Sequence, residues 1–211
     1  GYKAEIAQEL SWQMGRPISQ TPGEVDSFEE RARYMISTAD TALADINPGE
    51  KEGFKRYIKR EALGVVFVIA PWNFPYMTAV NAIMPALLAG NAVILKPSVQ
   101  TPLCAERLHR AFTEAGLPEG VFQYLHLTRG DTANVIQAPE INFIAFTGSV
   151  SGGEMVERAS VGRFIGVGLE LGGKDPAYVR KDANLKYAIE TVTDGAIFNS
   201  GQSCCGIERV Y

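Results

Sequence analysis

From Val25 through Phe28, Ala32, Ile36, Ala39 and Leu43 to Ile46, apolar residues recur at spacings of three and four. Such spacing lines one face of a long amphipathic helix whose simplest task is to cover a core. Pro22-Gly23 marks its start and Asn47-Pro48-Gly49 its end, so the first 50 residues read as helical. Residues 50–63 then turn charged, with Lys51, Lys55, Arg56, Lys59 and Arg60 interrupted by Tyr57 and Ile58. That segment predicts a solvated edge hairpin, either a plain surface strand pair or an assembly surface.

From Gly64 the pattern changes to short apolar runs alternating with helical periodicity. Residues 64–70 form a continuous apolar strand. A helix follows over 76–89, opened by Pro75, closed by Gly90 and expected to kink at Pro85. Strands are predicted over 91–95, 121–125 and 142–146. Between and after them come helices over 102–115, 131–137 and 152–159. Leu103, Leu108, Ala111, Phe112 and Ala115 share one face of the first of these helices, and Gly116 and Pro118 stop it. Beyond it, 164–171 is strand-like, 176–179 a short strand and 184–198 helical. Nearly all-apolar strands alternating with helices indicate an α/β fold whose parallel sheet is covered on both faces. Leu171-Gly172-Gly173 is the best candidate boundary, dividing the chain into 1–171 and 172–211.

In such sheets ligands bind beyond the carboxyl ends of the strands. Five kinds of group stand there or in a comparable place. Pro71-Trp72-Asn73-Phe74-Pro75 fixes one amide side chain between two prolines, and Lys96-Pro97-Ser98 presents an ammonium. Thr147-Gly148-Ser149-Val150-Ser151-Gly152-Gly153 is a glycine-rich turn entering a helix, a shape that offers backbone N–H groups to phosphate. Glu170, in Leu169-Glu170-Leu171-Gly172-Gly173-Lys174, is a carboxylate amid apolar residues, costly to bury unpaired and suited to a general base. Asn199-Ser200-Gly201-Gln202-Ser203-Cys204-Cys205 leaves a thiol among small residues. Each of these has a structural explanation taken alone; their convergence on one kind of location does not.

Composition narrows the functional classes. The 211 residues carry a net charge of −4 with no run of Lys or Arg, which argues against nucleic acid and anionic membranes as partners. His109 and His126 are too isolated to suggest a metal site. Three cysteines, Cys104, Cys204 and Cys205, make a poor disulfide framework and fit a reducing compartment. The longest apolar stretch is too short to span a bilayer, and no secretory signal is evident.

The Asn73, Lys96, Glu170-to-Lys174 and Gly201-to-Arg209 stretches resemble the aldehyde dehydrogenase superfamily, and the resemblance runs from about Met14-Gly15-Arg16-Pro17 to Arg209. It implies a Rossmann-type cofactor domain over 1–171, with 50–63 as part of an oligomerisation arm, and the start of an α/β catalytic domain over 172–211. It implies Cys204 as nucleophile, Asn73 with the Cys204 backbone N–H as oxyanion donors, and Glu170 as activator of water. Lys96 would meet the adenosine ribose, Ser149 the pyrophosphate, and Trp72, Ser98, Gly148, Gly153 and Leu171 would line the cofactor path. Phe74, Thr78, Asn81 and Phe198 would face the substrate tunnel, where two polar groups hint at a polar aldehyde. Many NAD-preferring relatives carry a glutamate three residues after the matching lysine; Val99 stands here, so NADP joins NAD as an expected cofactor.

The implied activity is oxidation of a small aldehyde to its acid through a cysteine thioester, in the cytoplasm or the mitochondrial matrix. A homodimer or homotetramer is expected of the full-length protein. The chain starts at Gly1 and stops seven residues past Cys204, so the expectation is an N-terminal half, inactive by itself. The alternatives are an acylating enzyme that uses coenzyme A, which Glu170 argues against, and a truncated relative that binds a nucleotide or partner without turnover.

Overall fold

The computed structural model describes residues 2–211. Two helices open it, α1 (Lys3–Met14) and α2 (Pro22–Ala42). An alternating run follows: β1 (Val65–Ile69), α3 (Met77–Leu88), β2 (Ala92–Lys96), α4 (Leu103–Glu114), β3 (Phe122–Tyr124), α5 (Arg129–Gln137), β4 (Ile141–Thr147), α6 (Val150–Ser160) and β5 (Gly166–Glu170). The five strands form one parallel sheet in the order β3-β2-β1-β4-β5. A second, two-stranded parallel sheet pairs β6 (Asp175–Ala177) with β7 (Ile207–Val210), and α7 (Leu185–Ile197) lies between them in the chain.

Strand alternation divides the core into two layers. Val66, Val68 and Ala70 point to one face of β1, where Leu10 and Met14 of α1, Ile83 of α3 and Leu108 of α4 meet them. Phe67 and Ile69 point to the other, against Ile136 of α5 and Val156 of α6. Phe67, Val80, Ile83, Val93, Ile136 and Ile144 are fully buried, so the centre of the sheet is dry on both faces. The chain leaves β1 towards β2 on one side, and β4 returns on the other. The resulting crevice at the carboxyl ends of β1 and β4 is a topological switch point.

Several elements differ from expectation. The long helix starts at Pro22 but ends at Ala42, and its stripe is only partly covered: Phe28 packs edge-on to Tyr76 with ring centroids 6.4 Å apart, while Ile36 and Ile46 are exposed. Residues 50–63 form no strand pair. They are exposed, and one antiparallel bridge, Ile46 to Ile58, ties them to the body. An extended segment becomes a strand only through a run of pairings, and this one makes only isolated bridges, at Ile46–Ile58 and Lys51–Phe54. α3 continues through Pro85 to Leu88 as one helix. In α4, Leu108 is buried and Phe112 half-buried, but Ala111 and Ala115 are exposed, because the covered face turns towards Cys104 and Ala105. β7 carries no pattern of its own and exists through its pairing with β6. None of the described helices is long and apolar enough to cross a membrane.

Candidate active site

A cleft of about 630 Å³ opens at the carboxyl ends of β1, β2 and β4. Pro71, Trp72 and Asn73 line it after β1, Lys96 and Ser98 at the end of β2, and Arg129 and Thr132 from α5. Phe146 to Ser149 close one side; Leu171 to Gly173 and Gly201 to Cys204 close another. Of the residues singled out in the sequence, Trp72, Asn73, Lys96, Ser98, Gly148, Ser149, Leu171 and Cys204 therefore share one space.

Asn73 is held at both ends of its amide. Its Nδ2 donates to the Gln202 carbonyl at 2.9 Å, and its Oδ1 accepts the Phe74 N–H at 3.1 Å. An amide nitrogen has two hydrogens, so one remains without a partner among the described residues. Cys204 is exposed, and its thiol is pushed above the ordinary thiol range, first by partial burial and then by the adjacent Cys205 thiol. Cys104 is different: burial in the sheet–helix layer pushes its thiol up to about 12, which makes it inert filler. Gly173 explains one glycine of the Leu171-Gly172-Gly173 step, since a Cβ there would collide with the Cys204 carbonyl. The missing side chain lets the strand exit run against the cysteine loop.

The glycine-rich turn has a packing reason as well as a polar one. Ser149 is the N-cap of α6, its Oγ accepting the Gly152 N–H at 3.1 Å. A Cβ on Gly148 or Gly152 would sit 2.7 or 2.6 Å from the Phe146 ring, so both glycines let the turn fold over that ring. Gly153 stands apart. It is buried in α6, where a Cβ would lie 2.7 Å from Leu171, so it packs behind that cleft-lining side chain without lining the cleft itself.

The charges in the cleft are unbalanced. No carboxylate lines it, while Lys96 and Arg129 both do. Among the described residues neither makes a salt bridge. Burial first, and Arg129 second, lower the Lys96 pKa. Two unpaired cations beside a helix N-terminus suit a polyanion.

Other residues sit elsewhere. Glu170 ends β5 in register with Thr147; it is exposed, so the cost of burying a carboxylate does not arise, and its side chain is outside the cleft lining although Leu171 to Gly173 are in it. Phe74 is buried and stacks on Phe198, with centroids 6.4 Å apart and planes 15° from parallel. Thr78 donates its hydroxyl back to the Phe74 carbonyl at 2.5 Å. Asn81 lines a separate groove with Leu43, Ile58 and Pro85. Thr78 is thus tied to the backbone, and Asn81 stands outside the cleft.

Among known protein families, the Aldehyde dehydrogenase family matches residues 2–211. The chain belongs to the aldehyde dehydrogenase family. It is 32% identical to the D-glyceraldehyde dehydrogenase (NADP(+)) of Thermoplasma acidophilum over 99% of this chain and 43% of that protein. It is 40% identical to the lactaldehyde dehydrogenase of Escherichia coli over 84% of this chain and 37% of that one. Its backbone matches the succinic semialdehyde dehydrogenase of Streptococcus pyogenes, solved with NADP+ as the cofactor, with a TM-score of 0.92 and 26% identity over 99% of this chain and 46% of that one. The chain spans less than half the length of these relatives.

Within this aldehyde dehydrogenase chain, three buried polar residues behind the cleft escaped the sequence reading. Arg16, Glu24 and Asn199 are 3%, 3% and 0% exposed. Arg16 pairs with Glu24 at 2.5 Å, donates from Nε to Asn199 Oδ1 at 2.6 Å and from Nη2 to the Asn73 carbonyl at 2.7 Å. Its guanidinium also covers the Phe74 ring at 4.5 Å. Glu24 accepts the Tyr76 and Met77 N–H groups, each at 3.0 Å, at the start of α3. Asn199 Nδ2 donates to the carbonyls of Asn73 (3.0 Å) and Gln202 (3.3 Å). Arg16 stood out in the sequence only within Gly15-Arg16-Pro17 and Asn199 only as the start of the small-residue run before Cys204, and neither pattern indicates burial.

Proposed function

We propose that the protein to which this chain belongs oxidises a small aldehyde to its carboxylic acid with NADP+ or NAD+, and that Cys204 forms the covalent intermediate. One observation carries the reading: Asn73, Cys204, Lys96 and Arg129 share a cleft at the switch point of a parallel sheet, with no carboxylate lining it. In this reading residues 1–171 form the cofactor-binding domain and 172–211 begin the catalytic domain.

The residues fit a dinucleotide. Lys96, Ser98 and Arg129 offer cations and a hydroxyl at one end of the cleft, and the Ser149-capped start of α6 offers backbone N–H groups to a pyrophosphate. Bound there, the nicotinamide supplies the hydride acceptor. Cys204 Sγ adds to the aldehyde carbon, and the unpartnered Asn73 N–H with the Cys204 backbone N–H holds the oxyanion. When the carbonyl reforms, hydride leaves the former aldehyde carbon and a thioester remains on Cys204. Glu170, exposed at the end of β5, draws a proton from water, which attacks the thioester and frees the acid. The Cys204 thiol hydrogen passes to solvent as Sγ adds, so Glu170 acts only in deacylation.

The test is single-turnover kinetics of the full-length enzyme. Cys204→Ala removes all reduced cofactor formation. Glu170→Gln leaves one equivalent of reduced cofactor per site and then stalls, because deacylation fails. A Glu170→Gln enzyme that cycles normally and transfers its acyl group to coenzyme A would refute the hydrolytic step.

A further inference from the structure

We infer that Asn199, oriented by the buried Arg16–Glu24 pair, is a positioning residue that sets the Asn73 amide relative to Cys204; this rests on the reading above, in which Asn73 is an oxyanion donor.

An arginine side chain has only donors, so Arg16 Nε at 2.6 Å dictates which end of the Asn199 amide faces it. Oδ1 must turn to Arg16, and Nδ2 must turn away, where it meets the carbonyls of Asn73 and Gln202. The Gln202 carbonyl also receives Asn73 Nδ2, the group whose second hydrogen faces the oxyanion in the proposed reaction. One buried amide thus ties the loop after β1 to the loop carrying Cys204, two residues beyond Gln202. The Asn73 carbonyl takes a second donor from Arg16, so the same cation fixes both ends of the tie.

The backbone agrees. Asn199, Ser200 and Gly201 all have positive φ, at 55°, 58° and 73°. For Asn199 and Ser200 this conformation is uncommon and persists only where surroundings hold it. The Asn199 N–H donates to Gln20 Oε1 at 2.9 Å, from the same N-terminal segment as Arg16. Glu24 completes the frame, because its second oxygen accepts two N–H groups at the start of α3, immediately after the Asn73 loop. The geometry needs a donor at Asn199 Nδ2; Asn199→Asp keeps the shape and puts an acceptor against two carbonyls.

The experiment is a double-mutant cycle on the full-length enzyme, read as the rate of reduced-cofactor formation in a single turnover. Asn73→Ala removes one oxyanion donor and slows that step by roughly 100-fold or more. Asn199→Asp slows it by a comparable factor alone, on the order of 100-fold, because it acts through the same donor. In the Asn73→Ala background Asn199→Asp adds less than about threefold. Multiplying effects would overturn the inference, since a general structural defect does not stop at Asn73. So would an Asn199→Asp rate within about threefold of the parent. If Asn199→Asp does not fold, Gln20→Ala carries the same cycle with a smaller effect, about three- to tenfold alone and none with Asn73→Ala, and additivity there would equally overturn it. An Asn73→Ala enzyme of undiminished rate would refute the oxyanion role itself, a result visible in that single variant and separate from the coupling.

Discussion

Val99→Glu should move cofactor preference from NADP+ towards NAD+. Val99 is 79% exposed, three residues beyond Lys96, and the cleft beside it holds Lys96, Ser98 and Arg129 but no carboxylate. A 2′-phosphate bears close to two negative charges at neutral pH, as other phosphate monoesters do. Two unit charges at 4 Å interact by about 1 kcal/mol in water and about 4 kcal/mol at a protein surface with an effective dielectric near 20. The exposure of Val99 places a new carboxylate near the watery limit, so the repulsion amounts to about 1.5–2 kcal/mol, or roughly a 10- to 30-fold loss in kcat/KM for NADP+. NAD+ lacks the phosphate and keeps its value or gains from a carboxylate able to accept ribose hydroxyls. The assay is kcat/KM for both cofactors in the full-length enzyme at about 0.05 M and about 0.5 M salt, because screening must shrink an effect of this origin. Arg129→Gln should lower NADP+ efficiency selectively by a smaller factor, about three- to tenfold, since one of two cations goes. A change of less than about threefold in the cofactor ratio, an equal loss for both cofactors, or indifference to salt would refute the reasoning. A parent enzyme preferring NAD+ by more than about tenfold would remove its premise.

Other outcomes follow from the site. Iodoacetamide at neutral pH should label Cys204 and leave Cys104 unlabelled in the native protein, read by peptide mass mapping, because Cys104 is buried with its thiol pushed up to about 12; labelling of Cys104 at an equal rate would contradict the core described. Cys205→Ala should shift the pH profile of Cys204 alkylation to lower pH, since the neighbouring thiol is among the causes that raise it, and an unmoved profile would assign the whole rise to burial. Gly173→Ala should abolish turnover in a folded protein, checked by circular dichroism, because the new methyl collides with the Cys204 carbonyl. Arg16→Met should lower the urea midpoint by the equivalent of about 3 kcal/mol, since it leaves Glu24 buried without its cation; a shift below about 1 kcal/mol would mean that the Tyr76 and Met77 N–H groups alone satisfy that carboxylate.

Local pattern determined much of this protein. The apolar runs at 64–70, 91–95 and 142–146 could only be strands buried on both faces, and the punctuation by Pro75, Gly90, Gly116 and Pro118 bounded the helices between them. The cleft was legible for the same reason: in a parallel sheet the side chains that follow the strands line the crevice, and Asn73, Lys96 and Ser149 stand there. Tertiary structure alone decided the rest. Residues 50–63 make only isolated bridges and no strand, whereas β7 has little pattern of its own but pairs with β6. Asn81 lies near the right loop in sequence yet lines a different groove, and Gly153 sits behind Leu171 and out of the lining itself, because helix rotation is set by what packs against it. Arg16, Glu24 and Asn199 are the clearest case. Periodicity registers burial of apolar side chains, whereas these are buried as charges and an amide, and only partners brought from residues 16, 24, 73 and 199 to one point make that burial tolerable.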